Sequence, residues 1–215
     1  MRKVFKILFI VLSLFFFFSS SRVLASFVST FDAGDEGWRF ANDVKLLWQS
    51  SGGNPGGFLQ GNDKGYGKVW YYVSPSSWSG DWSQYINGTL SFDLKLINTG
   101  GGQHFEADEV IIYGNNDKKL IWNGQHPTKE WTHYNITLNE ATFNVTEDYF
   151  MDVISNVKEL WIRGEYTDNL DIEGLDNVII KPVPIPSSIW LLGSVLIGMV
   201  LERQQKRSKY FYSSR

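Results

Sequence analysis

Residues 88–97, GTLSFDLKLI, place the strongest constraint on what this chain can become. Leu90, Phe92, Leu94 and Leu96 alternate with Ser91, Asp93 and Lys95. Successive side chains of a strand point to opposite faces, so this is an antiparallel strand with one face in a core and one toward solvent. The runs KVWYYV (68–73), EVIIYG (109–114), KKLIW (118–122), THYNITL (132–138), KELWIRGEY (158–166) and LDNVII (175–180) are of the same kind. Gly-Asn-Asn-Asp (114–117) joins two of them as a hairpin, because Gly and Asn tolerate positive φ. SGGNPGG (51–57) is the strongest loop signal. One stretch is helical, Glu147 to Asn156, with Phe150, Val153, Ile154 and Val157 on one face and Thr146 as its N-cap. Many short strands, one short helix and Gly-rich turns predict an all-β fold, a two-sheet antiparallel sandwich.

The ends of the chain are of a different composition. Arg2, Lys3 and Lys6 precede an apolar run from Ile7 to Phe18 and a small-residue end at Ala25. This pattern predicts a secretory signal peptide over 1–25, cut by signal peptidase. At the other end come PVPIP (182–186), the uncharged run 187–201, and the basic tail 202–215 with Arg203, Lys206, Arg207 and Lys209. Fifteen helical residues rise about 22 Å against a hydrocarbon core of about 30 Å, so 187–201 is a short transmembrane helix. The basic cluster places the tail in the cytoplasm.

Pro182, Val183, Pro184, Ile185 and Pro186, followed by an apolar helix and a basic cluster, resemble a PEP-CTERM sorting signal. That resemblance implies a Gram-negative bacterium that makes exopolysaccharide. It further implies an exosortase-like transpeptidase as a partner, cutting near the proline motif. The chain would then pass from an inner-membrane intermediate to the cell surface or extracellular matrix. Ile185 stands where the type motif has glutamate, and a permanent type I membrane anchor is the other reading.

Residues 26–181 form the ectodomain, long enough for one domain with a sizeable core. They carry 22 acidic against 11 basic side chains, a net charge of −11 that the whole-chain value of −3 hides. So acidic a domain has no electrostatic footprint for nucleic acid. The chain has no cysteine, which excludes thiol catalysis, Cys-ligated zinc and iron–sulfur clusters. It also has no G-x-S-x-G elbow, no H-E-x-x-H and no phosphate-binding glycine loop. The spacing of His104, His126 and His133 fits no metal motif, and solvated histidines are expected.

Two groups of residues are candidate sites. Asp32 and Asp35 open the ectodomain and Asp176 closes it. If first and last strands lie together, Asp32, Asp35 or Glu36 meets Asp176 around calcium, which takes oxygen ligands; the other reading is that these are turn and capping residues. Trp78 and Trp82 fall in the polar turn PSSWSGDWSQY (75–85), where exposed indoles would stack on sugar rings and Asp81 and Gln84 would take hydroxyls. The other tryptophans, Trp161 among them, are expected to be buried.

The run 69–96, VWYYVSPSSWSGDWSQYINGTLSFDLKL, resembles the laminin B (laminin IV type A) domain in its aromatic strand, its aromatic-x-Gly-Asp turn and the alternating strand behind it. The helix and strand of 149–166, with Ile162, Arg163 and Tyr166, and GGNPGGFLQGND (52–63) follow in the family's order. The resemblance implies a jelly-roll-like β-sandwich of the kind shared with carbohydrate-binding modules, and no catalytic role. The expected function is a non-catalytic, exported protein that binds exopolysaccharide or another envelope glycan. A polysaccharide hydrolase or lyase is the alternative, as is a purely structural ectodomain.

Overall fold

A computed structural model describes residues 26–65 and 67–184. The expected signal peptide, the Ile185-Pro186 end of the sorting motif, the transmembrane helix and the basic tail lie outside the described residues. Among the described residues no helix is long and apolar enough to cross a membrane. The chain divides into units 1–182 and 183–215, and the fold below is that of the first.

The strands are β1 (Phe27–Ser29), β2 (Arg39–Ala41), β3 (Val44–Gln49), β4 (Phe58–Asp63), β5 (Tyr71–Val73), β6 (Thr89–Asn98), β7 (Val110–Tyr113), β8 (Lys119–Trp122), β9 (Thr132–Thr137), β10 (Glu159–Arg163) and β11 (Ile172–Lys181). They form two antiparallel sheets, β3-β4-β11-β6-β9 with β1 also on β11, and β2-β5-β10-β7-β8. This is the expected all-β sandwich. In β6 Leu90, Phe92, Leu94 and Leu96 are all buried as read, but Asp93 of the expected solvent face is buried too, covered by His133, Asn54 and Asn177 that hydrogen-bond it. First and last strands do pair, Val28 opposite Ile179.

Between β9 and β10 lie two helices, α1 (Glu140–Phe143) and α2 (Glu147–Ile154). Thr146 caps α2, its Oγ1 accepting from Tyr149 N at 3.4 Å, while Phe150, Val153 and Ile154 face the core. The shorter α1 has no sequence periodicity to reveal it. It is closed by Asn139, whose Oδ1 accepts from Thr142 N at 2.9 Å.

The core is built around large aromatic side chains. Trp70 lies across Gly61 of β4 and Gly164, where a Cβ would come within 2.1 and 1.9 Å of its ring. Those two glycines are the space the indole occupies. Tyr72 sits against Trp70 edge-on at 5.0 Å and bridges the sheets, its hydroxyl accepting from Gly61 N and donating to Glu173 O at 2.9 Å.

The turn 75–85 departs from expectation. Trp78 and Trp82 are 5 % and 0 % exposed. Trp82 Nε1 donates to Trp78 O at 2.7 Å, and Phe27 of β1 packs on Trp78, Trp82 and Tyr85. Two short 3₁₀ turns, Ser76–Trp78 and Ser83–Tyr85, let a polar segment send both indoles inward while its serines stay outside. The expected exposed sugar platform is corrected to a core plug. Asp81 and Gln84 remain exposed, with Asp81 Oδ1 accepting from Ser83 N.

Candidate functional site

In β10, Leu160 and Ile162 point into the core, so Glu159, Trp161 and Arg163 point out from the second sheet. The register sets Val73 and Ile111 beside Trp161, Tyr71 beside Arg163 and Tyr113 beside Glu159. The outer face of this sheet therefore carries an aromatic row. Trp161 and Tyr71 ring centroids are 5.4 Å apart, and Trp161 and Tyr113 are 4.9 Å apart in edge-on contact. Val73 and Ile111 are buried beneath.

The two ends of that face differ. At one, Arg163 is fully buried, its Nη1 on Glu109 Oε1 at 2.9 Å, its Nη2 on Phe105 O at 2.7 Å and its Nε on Glu165 O. Its guanidinium lies between the rings of Phe105 and Tyr166, and Tyr166 donates to Glu109 Oε2 at 2.7 Å. The segment 103–109 thus straps over this end. The exposed His104 of this segment meets the His126 ring at a tilt, centroids 5.3 Å apart, and His126 Nε2 is 3.5 Å from Glu106 and 3.6 Å from Glu109. His126 was expected in solvent, but its side chain is only 20 % exposed because the strap covers it.

At the other end the face opens into a groove of about 720 Å³. Tyr113 and Trp161 form its aromatic side. Asn115 and Asp117 of the β7–β8 turn, with Asn156, Lys158 and Glu159, supply amide, carboxylate and ammonium groups, and Ser79, Gly80, Gly114 and Val157 complete the lining. Asn116 and Asp117 take positive φ, which turns the hairpin as tightly as its sequence implied. Glu159 fixes the indole: Trp161 Nε1 donates to its Oε2 and Arg39 Nη2 to its Oε1, both at 2.8 Å. Burial alone would raise the Glu159 pKa, but the hydrogen bonds from Arg39 and Trp161 and the Arg39 charge outweigh it and hold the carboxyl below its ordinary value. An apolar ring beside convergent hydrogen-bonding groups in a groove of this size is a small-molecule or chain-binding geometry.

The polar turn 75–85 is thus not the aromatic face, and Trp161 is half-buried instead of buried. The signal that locates the real aromatic face is the same period-two rule. Leu160 and Ile162 cannot face the core unless Trp161 faces away from it.

The acidic residues expected around calcium do not converge as a trio. Asp35 Oδ1 accepts from Gly37 N at 3.0 Å in its own turn. Asp176 is buried, its Oδ2 on Asn54 N at 2.6 Å and its Oδ1 on Asn177 N. Burial, with the charges of Asp93 and Asp32 added, pushes its pKa up to about 6 in spite of those amides. Among the described residues no group of three or more His, Asp or Glu side chains is arranged to hold a metal ion. Beside this loop His133 Nδ1 meets Asp93 Oδ1 at 2.6 Å. The imidazole is 59 % exposed, as expected of a solvated histidine, and no hydroxyl is hydrogen-bonded to it among the described residues.

Fold and groove together define a two-sheet antiparallel sandwich with an aromatic-sided groove on the outer face of one sheet. The chain belongs to the Laminin B (Domain IV) family, whose pattern matches residues 71–183. Among solved structures it is similar to the L4b domain of human laminin alpha-2, with 11 % identity and a TM-score of 0.59 over 75 % of this chain and 99 % of that one. The family 11 carbohydrate-binding module of a Clostridium thermocellum cellulosomal cellulase matches at 18 % identity and TM-score 0.51, over 75 % and 96 %. An exo-beta-agarase matches at 15 % and 0.50 over 72 % of this chain but only 24 % of its own. At these identities the likeness is one of fold. No curated protein matches the chain.

Proposed function

We propose that this chain is an exported, non-catalytic binding protein whose sandwich takes a polysaccharide in the groove beside Tyr113 and Trp161. One observation carries the reading: the half-buried Trp161 and Tyr113 flank a groove that also presents the polar side chains of Asn115, Asp117, Asn156, Lys158 and Glu159. Sugar rings present apolar faces and hydroxyl edges, which is the chemistry such a wall and such a rim complement. A glycan array probed with wild type and Trp161→Ala tests it. Binding that vanishes in the variant supports the groove, and binding that persists moves the site elsewhere.

A polysaccharide-active enzyme is the second reading, favoured by the agarase likeness. The match spans about a quarter of that enzyme, so the whole agarase's activity does not transfer. Of the two carboxyls that glycoside hydrolysis calls for, Glu159, held below its ordinary value, suits the ionised one and not the general acid.

Export and sorting belong to the same proposal. A laminin-like and carbohydrate-module-like fold suits an extracellular setting. The composition of 1–25 and 182–215 supports export through signal peptidase and release by an exosortase-like enzyme from an inner-membrane intermediate of a Gram-negative cell. The exopolysaccharide of such a cell is the proposed ligand. Mass spectrometry of the native protein decides the processing step: a C-terminus near Pro186 supports it, and only chains ending at Arg215 refute it.

A further inference from the structure

Four carboxylates gather where the connection between β10 and β11 passes from one sheet to the other. Asp63 ends β4, Glu165 and Asp171 lie in the connection, and Glu173 stands on β11 opposite Gly61. All four are buried, Glu173 completely. Backbone amides engage one oxygen of each of three: Gly65 N on Asp63 Oδ1 at 3.1 Å, Trp70 N on Glu165 Oε2 at 3.0 Å, and Tyr166 N and Thr167 N on Asp171 Oδ2 at 2.9 and 3.0 Å. Both oxygens of Glu173 and Oδ1 of Asp171 have no hydrogen-bond partner.

The groups facing the cluster do not neutralise it. Asp43, in the turn before β3, adds negative charge beside Asp63, and β5 offers Tyr72. On β6 the residue opposite Glu173 is Leu96. Arg163, at the end of β10, is committed to Glu109 and two carbonyls. The Arg163 charge lowers the Glu165 pKa in part but does not outweigh burial, so four ionised carboxylates in such a place carry a desolvation cost that is not offset.

We propose that the cluster is a proton-holding clasp, in which Glu173 is a carboxylic acid whose O–H donates to Asp171 Oδ1. When that O–H bond breaks, the proton passes to solvent water and carboxylate is left facing carboxylate. Burial first, then the neighbouring Asp171, keeps Glu173 well above the ordinary carboxylate range. Burial, with Asp63 and Asp171 added, pushes Glu165 up to about 7. Folded chains therefore hold protons that unfolded chains release. The stabilisation is complete below the ordinary value of 4.5, falls as pH rises through about 7, and falls further as Glu173 ionises. The clasp also bears on the strap. Asp171 holds the amides of Tyr166 and Thr167, Thr167 pairs with His104, and Tyr166 O accepts from Phe105 N.

The test is a series of thermal melts of the full chain from pH 5 to 9, in EDTA, for wild type and Glu173→Gln. The wild-type Tm is expected to fall by roughly 5 °C between pH 7 and 9, where solvated carboxyls and Asp176 have finished titrating. Glu173→Gln is neutral at every pH and should melt above wild type at pH 9, with a flatter profile. Parallel profiles overturn the proposal. If the variant does not fold, infrared spectra of wild type at pH 7 decide. The C=O band of a protonated carboxylic acid is expected there, and its absence overturns the clasp.

Discussion

Trp161 and Trp82 are the same residue type with opposite assignments. Trp82 is fully buried and donates its Nε1–H to Trp78 O, so Trp82→Ala leaves a large cavity and an unpaired carbonyl. A loss of about 3–5 kcal/mol is expected, read as a drop in denaturant midpoint. Trp161→Ala, on the solvent side of the sheet, should cost well under half of that. Equal losses at the two sites would mean that Trp161 is a core residue. Gly164→Ala tests the same packing from the backbone side. A methyl there meets the Trp70 ring at 1.9 Å, and the ring has Tyr72 against it, so destabilisation of roughly 1–3 kcal/mol is expected. A neutral Gly164→Ala would contradict the placement of Trp70.

At the level of elements, legibility followed the strength of the alternating pattern. β6, β7, β8, β9 and β10 were readable because apolar and polar residues alternate or cluster there over four or more positions. β4, FLQGND, was not: Gly61 stands at an inward position to leave room for Trp70, which erases the apolar residue that would have marked a strand. β1 and β2 are three residues each, too short to carry a period. The turn 75–85 was misread because its polar composition hides two 3₁₀ turns that invert the tryptophans. The quartet of acids was invisible for another reason. Asp63 and Glu173 are far apart in sequence and meet only through the pairing of β4 with β11. Calcium at Asp32, Asp35 and Asp176 is tested at this scale: a Tm that rises from EDTA to excess calcium supports it, and identical melts remove it.

On the scale of the whole molecule, the composition breaks after Ala25 and at Pro182 set off an acidic sandwich from two apolar ends. Residues 26–181 are expected to fold alone as a soluble β-rich domain. Circular dichroism of that fragment should be β-dominated with one cooperative transition, and a helical or unfolded spectrum would count against it. In the proposed function, the Tyr113–Trp161 groove is where this domain meets a polysaccharide. Isothermal titration of a polysaccharide selected on the array, into wild type and into Trp161→Ala with its fold verified by melting, tests it most directly. Saturable binding by wild type is expected, with an affinity loss of tenfold or more in the variant, about 1.4 kcal/mol. Unchanged affinity in a folded Trp161→Ala chain would contradict it.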